Sequence, residues 1–304
     1  MTPLRRAAYP ILTALLLALV NWYVANHPLY VEKTRKVDAQ LAALAVLESE
    51  SSERPLTLIV GNSYVRTAIQ PAVEGRYAKF TLNGLPLVDV VDVLRSLPDG
   101  LQVGAVIVGL GYDYATPIRS FSYVYRRYEA SNPVARAWWS IPVARSYSLS
   151  STMVKNDLLC LATGRRCQRK RAQAETFLRH ADDSEVHARR VDAEVPQRLR
   201  EYRPVTSEVS PSFTESLRAI RGECDRLGAN MVTFTAPIYQ PLRDQLDRGV
   251  LARFRKAAAS VSQYVDFNER YPDWKPAYFA DPTHLAQDGE GARIVTADVL
   301  RFLH

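Results

Sequence analysis

The sequence predicts an α/β fold: a three-layer, doubly wound parallel sheet with an inserted segment and one N-terminal transmembrane helix. Three observations support this prediction. The run from Ala7 to Ala25 contains no charged residue. After residue 55, short apolar runs alternate with helix-like patterns, which favours parallel strands joined by right-handed crossovers. Between residues 116 and 207 the alternation stops, and no clean period replaces it.

The uncharged N-terminal run is long enough to cross a membrane. At about 1.5 Å rise per residue it nearly matches a hydrocarbon core of roughly 30 Å. Trp22 and Tyr23 crowd the only plausible cleavage site near Ala25, so the sequence favours an uncleaved anchor over a removed signal peptide. Both rings also suit the aromatic belt at a membrane interface.

The orientation of this span follows from the charges beside it. The short tail before the span carries Arg5 and Arg6, which favours a cytoplasmic start. Basic residues at 33, 35 and 36 favour the opposite orientation, so the charge asymmetry is modest. We expect a single-pass protein with a cytoplasmic start and the bulk of the chain exported across the membrane.

Three domains are predicted along the chain. Residues 1–30 form the anchor, and residues 31–55 form a neck helix and linker. The helix is indicated by apolar residues at helical spacing, namely Val37, Leu41, Leu44 and Leu47. Residues 56–304 form the α/β domain, with the insertion at about 116–207. Its predicted strands are Leu56–Val60, Ala78–Leu82, Val103–Val108, Met231–Ala236 and Tyr264–Phe267. Its predicted helices are Val65–Val73, Leu87–Leu97, Pro211–Leu227, Leu242–Val261 and Gln287–Leu303.

Composition excludes few classes but argues against nucleic-acid binding. The chain has 304 residues, of which 47% are hydrophobic and 23% charged, as in an ordinary packed protein. Its net charge of +7 arises within the insertion, so the basic excess is local. No Cys/His cluster has zinc-ligand spacing, and we expect neither metal nor cofactor. A disulfide between Cys160 and Cys167 stays open.

The insertion contains two groups of residues that suit a polymer or membrane partner. A basic cluster would suit an acidic polymer or anionic lipid heads, although a solvated loop explains such a run equally well. It comprises Arg165, Arg166, Arg169, Lys170 and Arg171. An aromatic group would form either a sugar-stacking platform or the insertion's own core. It comprises Tyr123, Tyr125, Tyr128, Trp138 and Trp139.

Two short strings carry the residues of a nucleophilic triad. GNSYVR begins at Gly61 and supplies Ser63, while DPTHL begins at Asp281 and supplies His284. A serine hydroxyl needs an imidazole to take its proton and a carboxylate to orient that imidazole. Each string alone also fits an ordinary turn with a capping residue. Their joint placement at loops of one predicted sheet edge favours catalysis.

Candidate oxyanion donors lie in the same loops. The backbone N–H of Ser63 is at a helix N-terminus, and Gly84 follows the second strand, where a glycine lets the backbone approach a substrate closely. Asn83 beside it is a weaker candidate for substrate binding. Arg66, one turn after the serine, fits either an anionic substrate or a structural ion pair.

These motifs resemble the SGNH, or GDSL-like, superfamily of hydrolases and acyltransferases across residues 55–304. In that family a GDS-type string carries the nucleophile, matched by Ser63 with Asn62 in place of Asp, and Asp-x-x-His matches Asp281 and His284. The resemblance implies Gly84 as the oxyanion glycine. The family's Gly-x-Asn-Asp block is replaced by GLGYDYA at residues 109–115, which lacks Asn. Tyr112 is then a candidate oxyanion donor, and Asp113 a candidate substrate-binding group.

The resemblance extends to membrane-anchored members that acylate cell-envelope polymers beside a multi-pass MBOAT-type acyltransferase. It implies transfer of an acyl group, expected to be acetyl, onto an envelope polysaccharide or exopolysaccharide through an acyl-serine. It also implies a place in the bacterial inner membrane, with the bulk of the chain in the periplasm. The expected partners are the polysaccharide, the acyl donor and either such an acyltransferase or a polysaccharide synthase. Two alternatives stay open: a membrane-tethered carbohydrate esterase, and a catalytically silent subunit of a polysaccharide complex.

Overall fold

The computed structural model describes residues 3–49, 55–70, 76–115, 141, 185–202, 209–271 and 273–302. The chain divides into two compact units, residues 1–42 with 120–168 and residues 43–119 with 169–304. The basic cluster at 165–171, the aromatic group at 123–139 and the cysteines at 160 and 167 lie outside the described residues, as does most of the linker at 50–54.

Two helices begin the chain. Helix α1 spans Pro3–Asn26 and helix α2 spans Pro28–Ser49, where the neck helix is predicted. Within α1, the stretch Tyr9–Asn26 has a mean hydropathy of 1.4 and is only 6% buried. Of the helices in the described part of the chain, this one has the length and composition to cross a membrane. It fits an anchor or a signal sequence.

A five-stranded parallel sheet forms the centre of the second unit, as predicted. Its strands are β1 Leu56–Gly61, β2 Tyr77–Thr81, β3 Val103–Leu110, β4 Asn230–Thr235 and β5 Gln263–Asp266. They pair in the order β2-β1-β3-β4-β5, and every pair is parallel. The strand order reverses between β1 and β3, and at such a point the loops leave a crevice outside the carboxyl ends of the strands.

Helices connect these strands, and a short hairpin follows them. The helices after the neck are α3 Ser63–Ala68, α4 Leu87–Arg95, α5 Glu185–Tyr202, α6 Pro211–Leu227, α7 Gln240–Arg243, α8 Arg248–Ala259, α9 Phe267–Arg270 and α10 Glu290–Arg301. Two 3-10 turns span Tyr112–Ala115 and Pro276–Tyr278. An antiparallel hairpin, β6 Phe279–Asp281 and β7 His284–Leu285, follows the second turn.

The helical region predicted over 242–261 is divided in the structure for a visible reason, whereas α3 and α10 differ from their predictions in their bounds. The single helical region expected over 242–261 is two helices, α7 and α8. Asp247 caps the second, because its side chain accepts a hydrogen bond from the Val250 N–H at 2.8 Å. An Asp at such a cap satisfies a free N–H group and so starts a new helix where the apolar period alone would run through.

The apolar core lies on the strands and on the inner stripes of the helices. Strands β1 and β3 read LTLIVG and VGAVIVGL, nearly continuous apolar runs that suit strands buried on both faces. Helix α6 buries one face, which carries Phe213, Leu217, Ile220 and Cys224. Cys224 is therefore a core residue, and burial raises the pKa of its thiol to about 12. Helix α6 packs against α4, and α10 packs against α3.

Two glycines allow helix α3 to lie close to the sheet. A Cβ on Gly109 would lie 1.9 Å from Val65 Cγ2, and one on Gly61 would lie 2.3 Å from the same atom. Gly61 also has a φ of +154°, which a residue with a side chain rarely adopts. Val65 therefore occupies the space that both glycines leave open, and this packing sets where Ser63 begins the helix.

Candidate active site

Ser63 stands at the turn between β1 and α3. The side chain of Asn62 caps the helix by accepting a hydrogen bond from the Tyr64 N–H at 3.0 Å, and it is 2% exposed. An Asp would serve equally well at this position, since Asn and Asp side chains both accept at an N-cap. The serine, at the first position of the helix, is partly exposed at the carboxyl edge of the sheet.

The structure brings the three predicted triad residues together. The Nε2 atom of His284 lies 2.9 Å from Ser63 Oγ. On the other side of the ring, Nδ1 lies 2.9 Å from Asp281 Oδ2 and 3.1 Å from its Oδ1. Asp281 and His284 pair across the β6–β7 hairpin, so a tight turn holds acid and base in register. These contacts have the geometry of a nucleophile, a base and an orienting acid.

Several hydrogen-bond donors surround the Asp281 carboxylate. Its Oδ1 accepts from Thr283 N at 2.8 Å and Thr283 Oγ1 at 2.7 Å, and its Oδ2 accepts from Arg198 Nη2 at 2.8 Å. Burial of this 3% exposed side chain alone would raise its pKa. The charge and hydrogen bond of His284, with Arg198 and Thr283, outweigh burial and lower the pKa below its usual value. The acid is therefore ionised throughout the neutral range.

An aromatic side chain covers the base. The ring of Tyr64 stacks on the His284 ring with centroids 4.9 Å apart and planes 28° apart. The Tyr202 hydroxyl donates to the Tyr64 hydroxyl at 3.2 Å. Burial, followed by the charge of Asp113, raises the pKa of Tyr64, so its phenol stays protonated. This stack restricts rotation of the imidazole away from the serine.

A second carboxyl group, that of Asp113, lies near this site in the 3-10 turn after β3. Burial raises its pKa to about 6, while the charge of His284 acts in the opposite direction. A Cβ on Gly111 would lie 2.2 Å from Asp113 Oδ1 and 2.6 Å from Tyr64 Cε2, so the turn packs tightly against both side chains. Asp113 thus interacts electrostatically with His284, and burial disfavours the charged form of its carboxyl group.

The predicted oxyanion glycine lies in a turn beside the nucleophile loop. The Leu82 N–H donates to Gly61 O at 3.2 Å, which joins the end of β2 to the end of β1. The Leu85 N–H then closes a turn onto Leu82 O at 3.1 Å, with Gly84 at a φ of +69°. A Cβ on Gly84 would meet no atom within 4 Å, and Asn83 and Gly84 are both exposed.

The structure places Tyr112 in a different network. Its hydroxyl donates to Asp266 Oδ2 at 2.6 Å and accepts from Asn268 Nδ2 at 3.3 Å, and the side chain is 1% exposed. Because a phenol has one proton to donate, that proton is committed to Asp266. The predicted role of Tyr112 as an oxyanion donor therefore forms no part of the function proposed below.

Arg66 lies on α3 one turn after the serine and is partly exposed. Its charge acts on Lys79, whose amine donates to Ile69 O. Burial first, and then the charge of Arg66, lower the pKa of Lys79 to about 8. Arg66 therefore lies close enough to Lys79 for the two positive charges to repel each other.

A cavity of about 390 Å³ lies between α4 and α6. Tyr114 forms part of its wall together with Leu87, Val91 and Phe213. The hydroxyl of Tyr114 donates to Leu85 O at 2.5 Å and also hydrogen-bonds to the Asn62 side chain. The Tyr114 side chain therefore contacts both this cavity and the turn that carries Ser63.

Sequence reasoning missed the residues that surround the triad. Tyr64 lies within the nucleophile string, but stacking on the base is a tertiary contact. Helix α5, which supplies Arg198 and Tyr202, lies in the segment where no clean period was found. One signal was present: the buried residues His187, Val191, Val195 and Tyr202 recur on one face of this helix.

The described residues contain no group of three or more His, Cys, Asp or Glu that could hold a metal ion. In comparisons with known proteins, no protein-family model matches the chain and no curated protein matches it significantly.

Proposed function

We propose that the protein is a serine-dependent acyl-transfer enzyme with Ser63 as nucleophile, His284 as base and Asp281 as orienting acid. The observation that carries the proposal is the continuous chain of contacts, 2.9 Å from Ser63 Oγ to His284 Nε2 and 2.9 Å from His284 Nδ1 to Asp281 Oδ2. The first distance lies within the range for proton transfer between a nucleophile and its base, and the second within the range for a hydrogen bond that orients the base.

The chemistry proceeds in two steps. His284 takes the proton of Ser63 while Oγ attacks an ester or thioester carbonyl, and the N–H groups of Ser63 and Gly84 receive the negative charge on the carbonyl oxygen. The bond to the leaving group breaks, and His284 returns the proton to that group. In the second step His284 deprotonates the acceptor hydroxyl, which attacks the acyl-serine and releases the enzyme.

The acceptor we propose is a hydroxyl of an envelope polysaccharide or exopolysaccharide, and the acyl group is acetyl. The resemblance of the motifs to membrane-anchored SGNH acyltransferases supports this substrate class, and so does the apolar stretch Tyr9–Asn26, which fits an anchor. The proposal includes a periplasmic location and a donor supplied by a multi-pass acyltransferase. It also includes the three-layer SGNH arrangement, which the strand order and the packing of α4 on α6 and α3 on α10 support.

The test uses the full chain in detergent. Wild type should release product from an acetyl ester, and a mass spectrum taken during turnover should show an acetyl group on the peptide containing Ser63. Ser63→Ala should lose both signals. Equal turnover by wild type and variant would refute the serine mechanism, and absence of turnover in both would favour the silent subunit.

Transferase and esterase activity are separated by adding oligosaccharide. An acetylated sugar, formed in proportion to lost donor, supports transfer. Release of free acetate at an unchanged rate, with no acetylated sugar, identifies the protein as an esterase with the same catalytic residues.

A further inference from the structure

Helix α5 lies along the hairpin that carries the acid and the base. Near its start, His187 Nε2 lies 2.7 Å from Phe279 O, and Arg190 Nη2 donates to Ala280 O at 3.3 Å. Near its end, Arg198 Nη2 donates to Asp281 Oδ2 at 2.8 Å. Three successive residues of β6 are thus contacted from one helix.

The Arg198 contact differs from the others because it reaches the reacting network. The Arg198 side chain is 26% exposed, whereas that of Asp281 is 3% exposed, so the guanidinium brings charge to a buried oxygen. That oxygen is the one that lies 2.9 Å from His284 Nδ1. The hydrogen bonds of Thr283 hold Oδ1 only, and Arg198 holds Oδ2.

We propose that Arg198 is a positioning residue, which fixes the Asp281 carboxylate so that Oδ2 faces the His284 ring and keeps the imidazole aimed at Ser63. The inference rests on the proposed function, and it makes α5, a helix within the predicted insertion, part of the catalytic apparatus. A guanidinium suits this task because its planar fork fixes the direction of a carboxylate oxygen.

Loss of Arg198 should therefore lower kcat, because the Asp281 carboxylate would no longer hold the imidazole toward Ser63.

The experiment compares substitutions on one helix in the full chain. Arg198→Met is the test, and Arg189→Met is the matched control, since Arg189 is exposed and forms an ion pair within α5, with Glu185. We expect Arg198→Met to lower kcat by about 10- to 100-fold, the effect of losing one charged hydrogen bond. We expect KM to change by less than about threefold, because Arg198 touches the acid and not the substrate.

Two further readouts separate positioning from a purely structural role. Arg198→Lys should retain more activity than Arg198→Met, because an ammonium keeps the charged hydrogen bond but lacks the planar fork. Guanidinium ion at non-denaturing concentration should restore part of the activity of Arg198→Ala. The control should match wild type in all of these measurements.

Several results would overturn the inference. One is activity of Arg198→Met equal to that of the control. Another is a loss of activity that accompanies loss of folding and is the same in Arg198→Lys, with no guanidinium rescue. Wild-type turnover that survives Ser63→Ala instead refutes the proposed function, so the two failures are distinguishable.

Discussion

Adding one methyl group at Gly109 should displace the helix that carries the nucleophile. The new Cβ would lie 1.9 Å from Val65 Cγ2 and 3.2 Å from Phe234 Cζ, whereas carbon atoms pack best about 3.5–4.0 Å apart. Val65 is fully buried and lies on α3 two residues after Ser63, so relief requires movement of the helix. The displacement needed is roughly 1.5–2 Å, the difference between these two separations.

Both stability and activity should respond. Overpacking of this kind costs about 1–3 kcal/mol of unfolding free energy. The contact between Ser63 Oγ and His284 Nε2 is 2.9 Å and would lengthen beyond hydrogen-bonding range if α3 moved by an ångström or more. A misplacement of about 1 Å in a reacting group lowers the rate by on the order of 10²-fold. Urea unfolding followed by circular dichroism measures the first effect, and ester turnover measures the second.

A double substitution tests the cause. Val65→Ala removes the atom that the new methyl group meets at 1.9 Å and leaves a contact of 3.1 Å to Cβ. Gly109→Ala with Val65→Ala should therefore lose less stability than the sum of the two single changes, by about 1 kcal/mol or more. Gly222→Ala is the control, because a Cβ there meets nothing within 4 Å and the residue lies inside α6. It should stabilise the protein by up to about 1 kcal/mol. Strict additivity, or a Gly109→Ala protein with wild-type stability and activity, would refute the packing argument.

Three further changes should have separable effects. Asp281→Asn should lower kcat by roughly 10⁴-fold in ester turnover, because an amide favours the wrong imidazole tautomer. Its acid unfolding should also lose pH dependence, since the lowered pKa of Asp281 contributes stability above its unfolded pKa that is lost as pH falls. Asp113→Asn should stabilise the fold at pH 7 by at most about 2–3 kcal/mol, because burial raises the pKa of Asp113 to about 6 and so penalises its charged form. The gain should shrink toward pH 4, where the carboxyl group is protonated in the folded protein. A stability difference that stays constant in urea melts across this pH range would contradict the reasoning. Asp247→Ala should cost about 1 kcal/mol of unfolding free energy through loss of the α8 cap, and an unchanged urea midpoint would contradict it.

The strands were predictable because their apolar runs are local signals. Strand β1, predicted at Leu56–Val60, spans Leu56–Gly61, and helix α6 has the predicted bounds of Pro211–Leu227. The α6 boundary carries its own chemistry, with Pro211 at the start and Gly228 in the left-handed conformation at the end. Proline lacks a backbone N–H that would need a partner at the start of a helix, and glycine readily adopts the left-handed conformation that ends one. Both effects are local, so no distant contact is needed to locate the ends of α6.

The hairpin of β6 and β7 was not predictable in the same way. Its strands have three and two residues, too short for an alternation of apolar and polar positions to be visible. Helix α5 was missed although its buried stripe is present, because the basic and aromatic residues before it obscured its period.

The sequence by itself determined the parallel α/β sheet, the apolar N-terminal helix and the identities of Ser63, Asp281 and His284 as candidates, since apolar period and short motifs are properties of neighbouring residues. Only the tertiary structure decided that these three side chains lie within hydrogen-bonding distance, that Tyr64 covers the base, that Arg198 reaches the acid and that Tyr112 is committed to Asp266. Each of these contacts joins residues whose distance in space is set by how the helices pack on the sheet. Packing of Val65 against Gly61 and Gly109 places the Ser63 side of the site, and packing of α5 against the hairpin places the Asp281 side.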